Sequence, residues 1–405
     1  MDEKPRKLLI VERKLISNRG HHHTQINALK SLFPNHQAYI LAGDGYDGFL
    51  GTAVGTIGTR DLKLARLHAK LKCGTLTQRL SAGFSALLTG RLRLPASAYG
   101  RQLAEVCMEL NITGEDIVII PTADLDSLES AQHLSEELGA LAPTVALRFL
   151  SPMLGEKDDK FRELRFRQAT QKLSPRLLLF TETEEMARHF GSRFGVNVQG
   201  GFYMPCSIGF EKSDANISAS KSHFRVGVFG APRTEKGSHR IANIVRCVAE
   251  HEKLNAGQSI EFVLQGSPED LSETGVYRGL SEFLSTKDGV VVSNSGDRLS
   301  PVEFEKLFRS VDIILLPYDV SIYALQGSGV IQDAVAALKP IVHSKGMSMS
   351  SFLNHGNALA AVSDENFAKA IMEVSRNSAP FVGGAMTASK YFENYMENFP
   401  AMFNR

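Results

Sequence analysis

The feature that most constrains this chain is a rhythm of short apolar runs separated by longer mixed segments, and the rhythm occurs twice. KLLIVE (7–12), QAYILA (37–42), DIVIIP (116–121), TVALRF (144–149) and LLLFTE (177–182) make the first series. FRVGVFG (224–230), IEFVLQG (260–266), GVVVS (289–293), VDIILLP (311–317), KPIVHS (339–344) and NALAAV (357–362) make the second. Runs that stay apolar without alternating suit strands buried on both faces, and the spacers suit helical crossovers, so each series predicts a parallel sheet. The expected fold class is α/β, with two Rossmann-like doubly wound domains facing a central cleft. Ligands of such sheets bind beyond the carboxyl ends of the strands, here the loops after Glu12, Ala42, Pro121 and Phe149 in the first series.

Between the series, EKSDANISASKS at 211–222 is polar and aperiodic, as a linker should be. The expected organisation is a first domain over 1–210, the linker at 211–222, and a second domain over 223–387. A C-terminal segment, 388–405, is expected to be helical to Asn398 and to cross back to the first domain. Within the first domain, 57–110 reads as a long helical insertion. The length of 405 residues suits two separate cores, and 43% apolar with 22% charged residues is the balance of a soluble globular protein. No run approaches the roughly 20 apolar residues of a membrane span. The start, MDEKPRKLLIVERK, has charges where a secretory signal needs an apolar run, so a cytoplasmic location is expected. Cys73, Cys107, Cys206 and Cys247 lack CxxC or metal-ligand spacing and read as unpaired structural thiols.

A net charge of +1 conceals a basic stretch: Arg60, Lys63, Arg66, Lys70, Lys72, Arg79, Arg91, Arg93 and Arg101 are set against Asp61 alone. Leu62, Leu64, Leu67, Leu71, Leu80, Phe84 and Leu87 interleave at roughly helical spacing. Two readings fit, a solvated helical face over a core or an amphipathic surface over 60–101 that meets anionic lipid. Nucleic acid fits poorly, since few aromatics interleave the bases and no recognition motif is present.

The second series carries two loops suited to an anion. FGAPRTEKGSHR places Gly230, then Arg233, Lys236 and Gly237, between a strand and a helix. YALQGSGVIQDAVAALKPIV follows another strand with Gln326, Ser328, Gly329 and Val330 at a helix start and Asp333 inside the helix. First-turn amides have no internal partners and the helix dipole is positive there, so both loops can hold a diphosphate. A carboxylate at Asp333 can accept the vicinal hydroxyls of a ribose, or can serve as a plain helix acid.

FGAPRTEKG, VLQG (with Gln265 and Gly266), FRSVDIILLPY and GSGVIQDAVAALKPIV together resemble the donor-binding half of GT-B glycosyltransferases, specifically the large retaining group that uses nucleotide sugars. The resemblance covers roughly 224–345. It implies that a nucleotide sugar such as a UDP- or GDP-sugar is co-substrate, with no other cofactor and no metal. The first domain then binds the acceptor, and the basic, amphipathic 60–101 region suggests a saccharide or lipid-linked acceptor in envelope or exopolysaccharide synthesis. The resemblance further implies that Lys236, with Arg233, stabilises the leaving diphosphate and that Asp333 holds the ribose. The chain departs from the group in having Ala231 where an Arg is usual, Leu325 where a second acid is usual, and Asp333 where Glu is more frequent. A nucleotide-sugar epimerase of the same architecture and a non-catalytic nucleotide-sugar-binding protein stay open beside it. A dinucleotide oxidoreductase lacks its GxGxxG.

After the first strand, LISNRGHHHTQINALK offers Gly20 for the cleft floor and His21, the imidazole nearest it, for a catalytic contact with donor phosphate or acceptor hydroxyl. Adjacent residues diverge on a helix, so the His21–His23 run does not make a metal site. PTADLDSLE contains an Asp-x-Asp of the kind that binds Mn²⁺ or Mg²⁺ in the unrelated GT-A fold. The alternatives for Asp124 are to cap the next helix or to face the acceptor.

Overall fold

The computed structural model describes residues 5–16, 22–57, 70–71, 74–88, 98–155, 159–210, 223–255, 259–296 and 299–403. The chain forms two units, Met1–Tyr203 with Pro400–Arg405, and Met204–Phe399.

In the first unit, six parallel strands stand in the order β3-β2-β1-β4-β5-β6. They are β1 (Arg6–Glu12), β2 (His36–Gly43), β3 (Gly55–Ile57), β4 (Ile117–Ala123), β5 (Thr144–Phe149) and β6 (Leu177–Thr181). Each apolar run of the first series is a strand. The addition is β3, three residues at the start of the expected helical insertion and too short to leave a periodic signal. The described part of that insertion contains the helices Leu76–Leu88 and Ala98–Glu109. The central strand β1 pairs Leu9 with Tyr39 on one side and with Val118 on the other, and its last five residues are buried. On one side of the sheet, the rings of Phe149, Phe166, Phe190 and Phe194 interlock at centroid distances of 4.8–6.0 Å. Such pairs add edge-to-face attraction to the burial of large apolar area.

The second unit repeats the pattern as β12-β11-β10-β7-β8-β9. Its strands are β7 (His223–Val228), β8 (Ser259–Leu264), β9 (Val290–Asn294), β10 (Ile313–Leu316), β11 (Ile341–Ser344) and β12 (Ala358–Ala361). The helices Ile241–Asn255 and Asp364–Arg376 close one face through Ile244, Val248, Phe367 and Ile371, packed on Val226, Phe262 and Leu315. Local chemistry sets the helix starts. Ser300, for example, accepts the Glu303 amide while the Glu303 carboxylate accepts the Ser300 amide, with Pro301 between them.

In both sheets the chain winds outward from the first strand and then returns to its other side. The switch points therefore lie between β1 and β4 and between β7 and β10, where the crossovers diverge and leave a crevice at the strand ends.

The units divide between Tyr203 and Met204, earlier than the expected boundary at 210, and the expected linker 211–222 lies outside the described residues. The cause is local. Gln332 Oε1 accepts the Met204 amide at 3.1 Å, and Asp333 Oδ1 accepts the amides of Ser207 and Ile208 at 2.7 and 2.9 Å, which fastens 204–208 to the second unit. At the other end the helix Ala379–Asn398 belongs to the second unit, whereas Phe403 packs against Phe33 and Phe180 of the first.

Candidate functional site

The β7/β10 switch point is built by two glycines. Gly230, directly after β7, has φ +89 and donates its amide to Gln265 Oε1 at 2.8 Å. A Cβ there would collide with Lys236 Nζ, and Val330 Cγ2 lies 3.8 Å from the same position. Gly237 has φ +70 and ends the turn Thr234–Lys236; a Cβ on it would strike the carbonyl of Pro317, so only glycine lets the β7 loop lie against the end of β10. The Asp319 amide, donating to Glu235 O at 2.9 Å, joins the two loops a second time.

These contacts bring together Gly230, Lys236, Gln265, Tyr318 and Val330. Lys236 is the electrostatic centre. Its ammonium sits 5.8 Å from the centroid of the Tyr318 ring, and among the described residues no carboxylate hydrogen-bonds to its Nζ. Burial first, and Arg233 second, lower its pKa to about 8. A desolvated cation beside the start of the helix Gly329–Ala336, offset only in part by Glu235, is suited to an anion.

The remaining expected residues fall into three groups. Ser328, Gly329 and Val330 open that helix as expected, and Gly329 packs so closely on the 204–208 segment that a Cβ would come 2.8 Å from Cys206 Sγ. The Ser328 amide donates to Met349 Sδ at 3.1 Å, which leaves the helix-start positions Gly329 and Val330, with no intrahelical acceptor for their amides, to meet a ligand. Gln265 and Gly266 serve the scaffold. The Gln265 side chain holds Gly230, and Gly266 leaves room for Tyr277, whose Cε2 would stand 3.2 Å from an added Cβ. Arg233 is 54% exposed and pairs with Glu235 at 3.3 Å, at the rim of the loop. Gln326 contributes its carbonyl to Ser348 Oγ at 2.6 Å. Gly20 and His21 lie outside the described residues.

Asp333 has a structural partner that its expected ribose role does not include. It is 3% exposed, and its Oδ1 is taken by the two amides of the 204–208 segment rather than presented to a ribose. A Glu would carry the carboxylate one methylene farther; the shorter Asp stays within reach of Ser207. Burial raises its pKa to about 7, partly offset by the Ser207 and Ile208 amides. The folded chain thus binds more protons than the unfolded one between about pH 4 and 7, and this group's contribution to stability falls as pH rises through that window. Asp333→Asn keeps the acceptor oxygen and removes the titration. Its urea midpoint should therefore gain on the wild type from pH 5 to pH 7 and hold that gain above, with nucleotide affinity unchanged. A loss of affinity in the Asn variant would restore the ribose role.

The β1/β4 switch point carries a second polar cluster, at the loop after Glu12. Glu12, 2% exposed, ends β1. It accepts the Lys14 amide at 2.9 Å and stands 3.7 Å from His22 Nδ1, the first residue of the helix His22–Leu32. Burial pushes its carboxyl up, but His22 and Thr122 outweigh this and hold it below the usual range. Next to it, Arg13 pairs with Asp124 and lies 4.8 Å over the buried Tyr99 ring. Asp124 also caps the helix Leu125–Leu138 through the Ser127 amide at 2.9 Å, and Asp126 pairs with Arg165 at 3.0 Å. Both acids of the Asp-x-Asp are thereby committed to arginines and a helix start.

No protein-family model matches the sequence, and no curated protein matches it. Solved structures do match. HepE of Anabaena in complex with UDP is similar with a TM-score of 0.63 at 13% identity, over 98% of this chain and 98% of that one. A trehalose-6-phosphate structure from E. coli bound with UDP-2-fluoro glucose gives 0.62 at 12%, over 98% and 99%. A UDP-forming trehalose-phosphate synthase from Burkholderia xenovorans gives 0.58 at 11%, over 99% of each. At these identities the likeness is one of fold, and it extends over nearly the whole length.

Proposed function

We propose, from the premise that this chain has the GT-B fold of two Rossmann-like domains, that it is a glycosyltransferase moving a sugar from a nucleotide-sugar donor to a saccharide or lipid-linked acceptor. The observation that carries the reading is the half-buried ammonium of Lys236 at the β7/β10 switch point, which no carboxylate among the described residues hydrogen-bonds, beside the first amides of the helix Gly329–Ala336. Charge develops on the diphosphate as the glycosidic bond to it breaks, and a fixed cation with helix amides in a dry pocket stabilises that charge without a metal. The similar structures hold UDP and UDP-2-fluoro glucose, which supports a uridine donor.

In the first unit the crevice of Glu12, Arg13, His22 and Asp124 offers the charged and hydrogen-bonding groups that sugar hydroxyls require, and we assign the acceptor to it. Retention of the anomeric configuration is the proposed outcome, following the group that the donor loops resemble. The test is calorimetric titration with UDP, GDP, ADP and dTDP, followed by acceptor-dependent release of the nucleotide from the matching sugar donor and NMR of the product's anomeric centre. Binding of one nucleotide class with acceptor-dependent release supports transfer. Release without acceptor, with an altered donor sugar, replaces it by epimerisation.

A peripheral contact with anionic lipid belongs to the same proposal and would suit a lipid-linked acceptor in polysaccharide synthesis. On the helix Leu76–Leu88, Leu76, Leu80 and Phe84 are 64–75% exposed at one-turn spacing, with Arg79 exposed beside them and Lys70 exposed just before. The other basic residues of 60–97 lie outside the described residues; no described helix is long and apolar enough to cross a membrane. The wild type should cosediment with phosphatidylglycerol vesicles, and Leu80→Glu with Phe84→Glu should reduce the bound fraction at least about tenfold. Equal sedimentation of both would leave the apolar row as an ordinary surface.

A further inference from the structure

We propose that Tyr318 is a ligand-binding residue of the β7/β10 crevice, its hydroxyl donating a hydrogen bond to a phosphate oxygen of the nucleoside diphosphate. The inference rests on the donor reading above and adds a residue that neither the loop motifs nor the resemblance singles out.

Tyr318 follows β10 directly and is 3% exposed, yet its hydroxyl makes no hydrogen bond among the described residues, although the Ser328 side chain lies near enough to bear on its pKa. A buried hydroxyl without a partner is a standing penalty that phenylalanine, of the same shape, would avoid. What surrounds it gives the penalty a purpose. Lys236 Nζ stands 5.8 Å from the ring centroid, and Ser328 opens the helix whose first amides face the same crevice. The Tyr323 ring packs on Tyr318 at 4.5 Å, and Gly237 presses on the carbonyl of the preceding Pro317, so ring and backbone are both held.

A diphosphate has more acceptor positions than Lys236 and two amides can fill. A phenol can only help by donating, and burial first, with Tyr323 second, raises its pKa and keeps it protonated. The hydroxyl is then an orphan in the free protein and satisfied in the complex.

Two quantities should therefore move in opposite directions in Tyr318→Phe. Without ligand its urea midpoint should equal or exceed that of the wild type. Calorimetry with UDP, GDP and inorganic pyrophosphate should show affinity for whichever diphosphate binds falling about tenfold or more, the size expected for a hydrogen bond to a charged group. Uridine or guanosine alone should be unaffected. Equal diphosphate affinity in both proteins overturns the assignment and leaves the donor reading standing. A wild type that binds neither pyrophosphate nor any nucleoside diphosphate overturns both. A Phe variant that loses stability along with affinity shows the hydroxyl to be structural and also overturns the assignment.

Discussion

Lys236→Ala is expected to lower turnover by about 10²–10³-fold, the range found when a group stabilising transition-state charge is removed. The fold should survive, because the variant deletes a desolvated ammonium whose burial and Arg233 neighbour outweigh the attraction of Glu235. The same desolvation makes the step sensitive to pH. In the free protein the ammonium loses its proton near pH 8 instead of near 10.5, so between these values the unfolded chain binds more protons and stability rises with pH. A bound diphosphate reverses the bias, since two negative phosphates hold the proton on. Donor affinity should thus decline as pH climbs through 8, by up to about tenfold per unit, with proton uptake visible as a buffer-dependent heat. Lys236→Ala should flatten this profile. A variant with undiminished turnover, or with the same pH dependence, would sink the leaving-group role.

Gly237→Ala should have the largest effect on stability. Two costs coincide at one Cβ. A left-handed backbone penalises a side chain by about 1–2 kcal/mol, and the new carbon meets the Pro317 carbonyl, a backbone atom at the end of a central strand that cannot shift alone. The sum is expected to reach about 3 kcal/mol in urea unfolding. Relief by separating the β7 loop from β10 would carry Lys236 away from Tyr318, so donor binding should fall as well. Gly383→Ala is the control. It lies in the helix Ala379–Asn398 with open space where a Cβ would go, so it should be neutral or gain up to about 1 kcal/mol. A stable Gly237→Ala protein would mean that the two loops are not held as tightly as their contacts suggest.

How much of this was legible beforehand follows from how local each feature is. Runs such as VDIILLP and TVALRF announce buried parallel strands because every residue contributes the same signal; Gly55–Ile57, with three residues, announces nothing. Lys236 and Gly230 were legible because a strand, a glycine turn and a cation lie within one short stretch. The scaffold duty of Gln265 was not, since it depends on a bond to Gly230 thirty-five positions away. The backbone contacts of Asp333 were hidden for the same reason. Its partners Ser207 and Ile208 are more than a hundred residues earlier, and a sequence shows the acid but not what folds over it. The orphan state of Tyr318 was equally invisible, because an unmet hydrogen bond is a property of surroundings.

The return of the chain end to the first unit bears on how the protein is made. Residues up to Tyr203 leave the ribosome before the second unit, yet the ring of Phe403, which packs against Phe33 and Phe180, is synthesised after every residue of that unit. Of the two units, the one begun earlier is therefore completed later. Until translation reaches Phe403, those two aromatic rings pack on His36 and Phe202 and leave one flank open for a chaperone or another nascent chain.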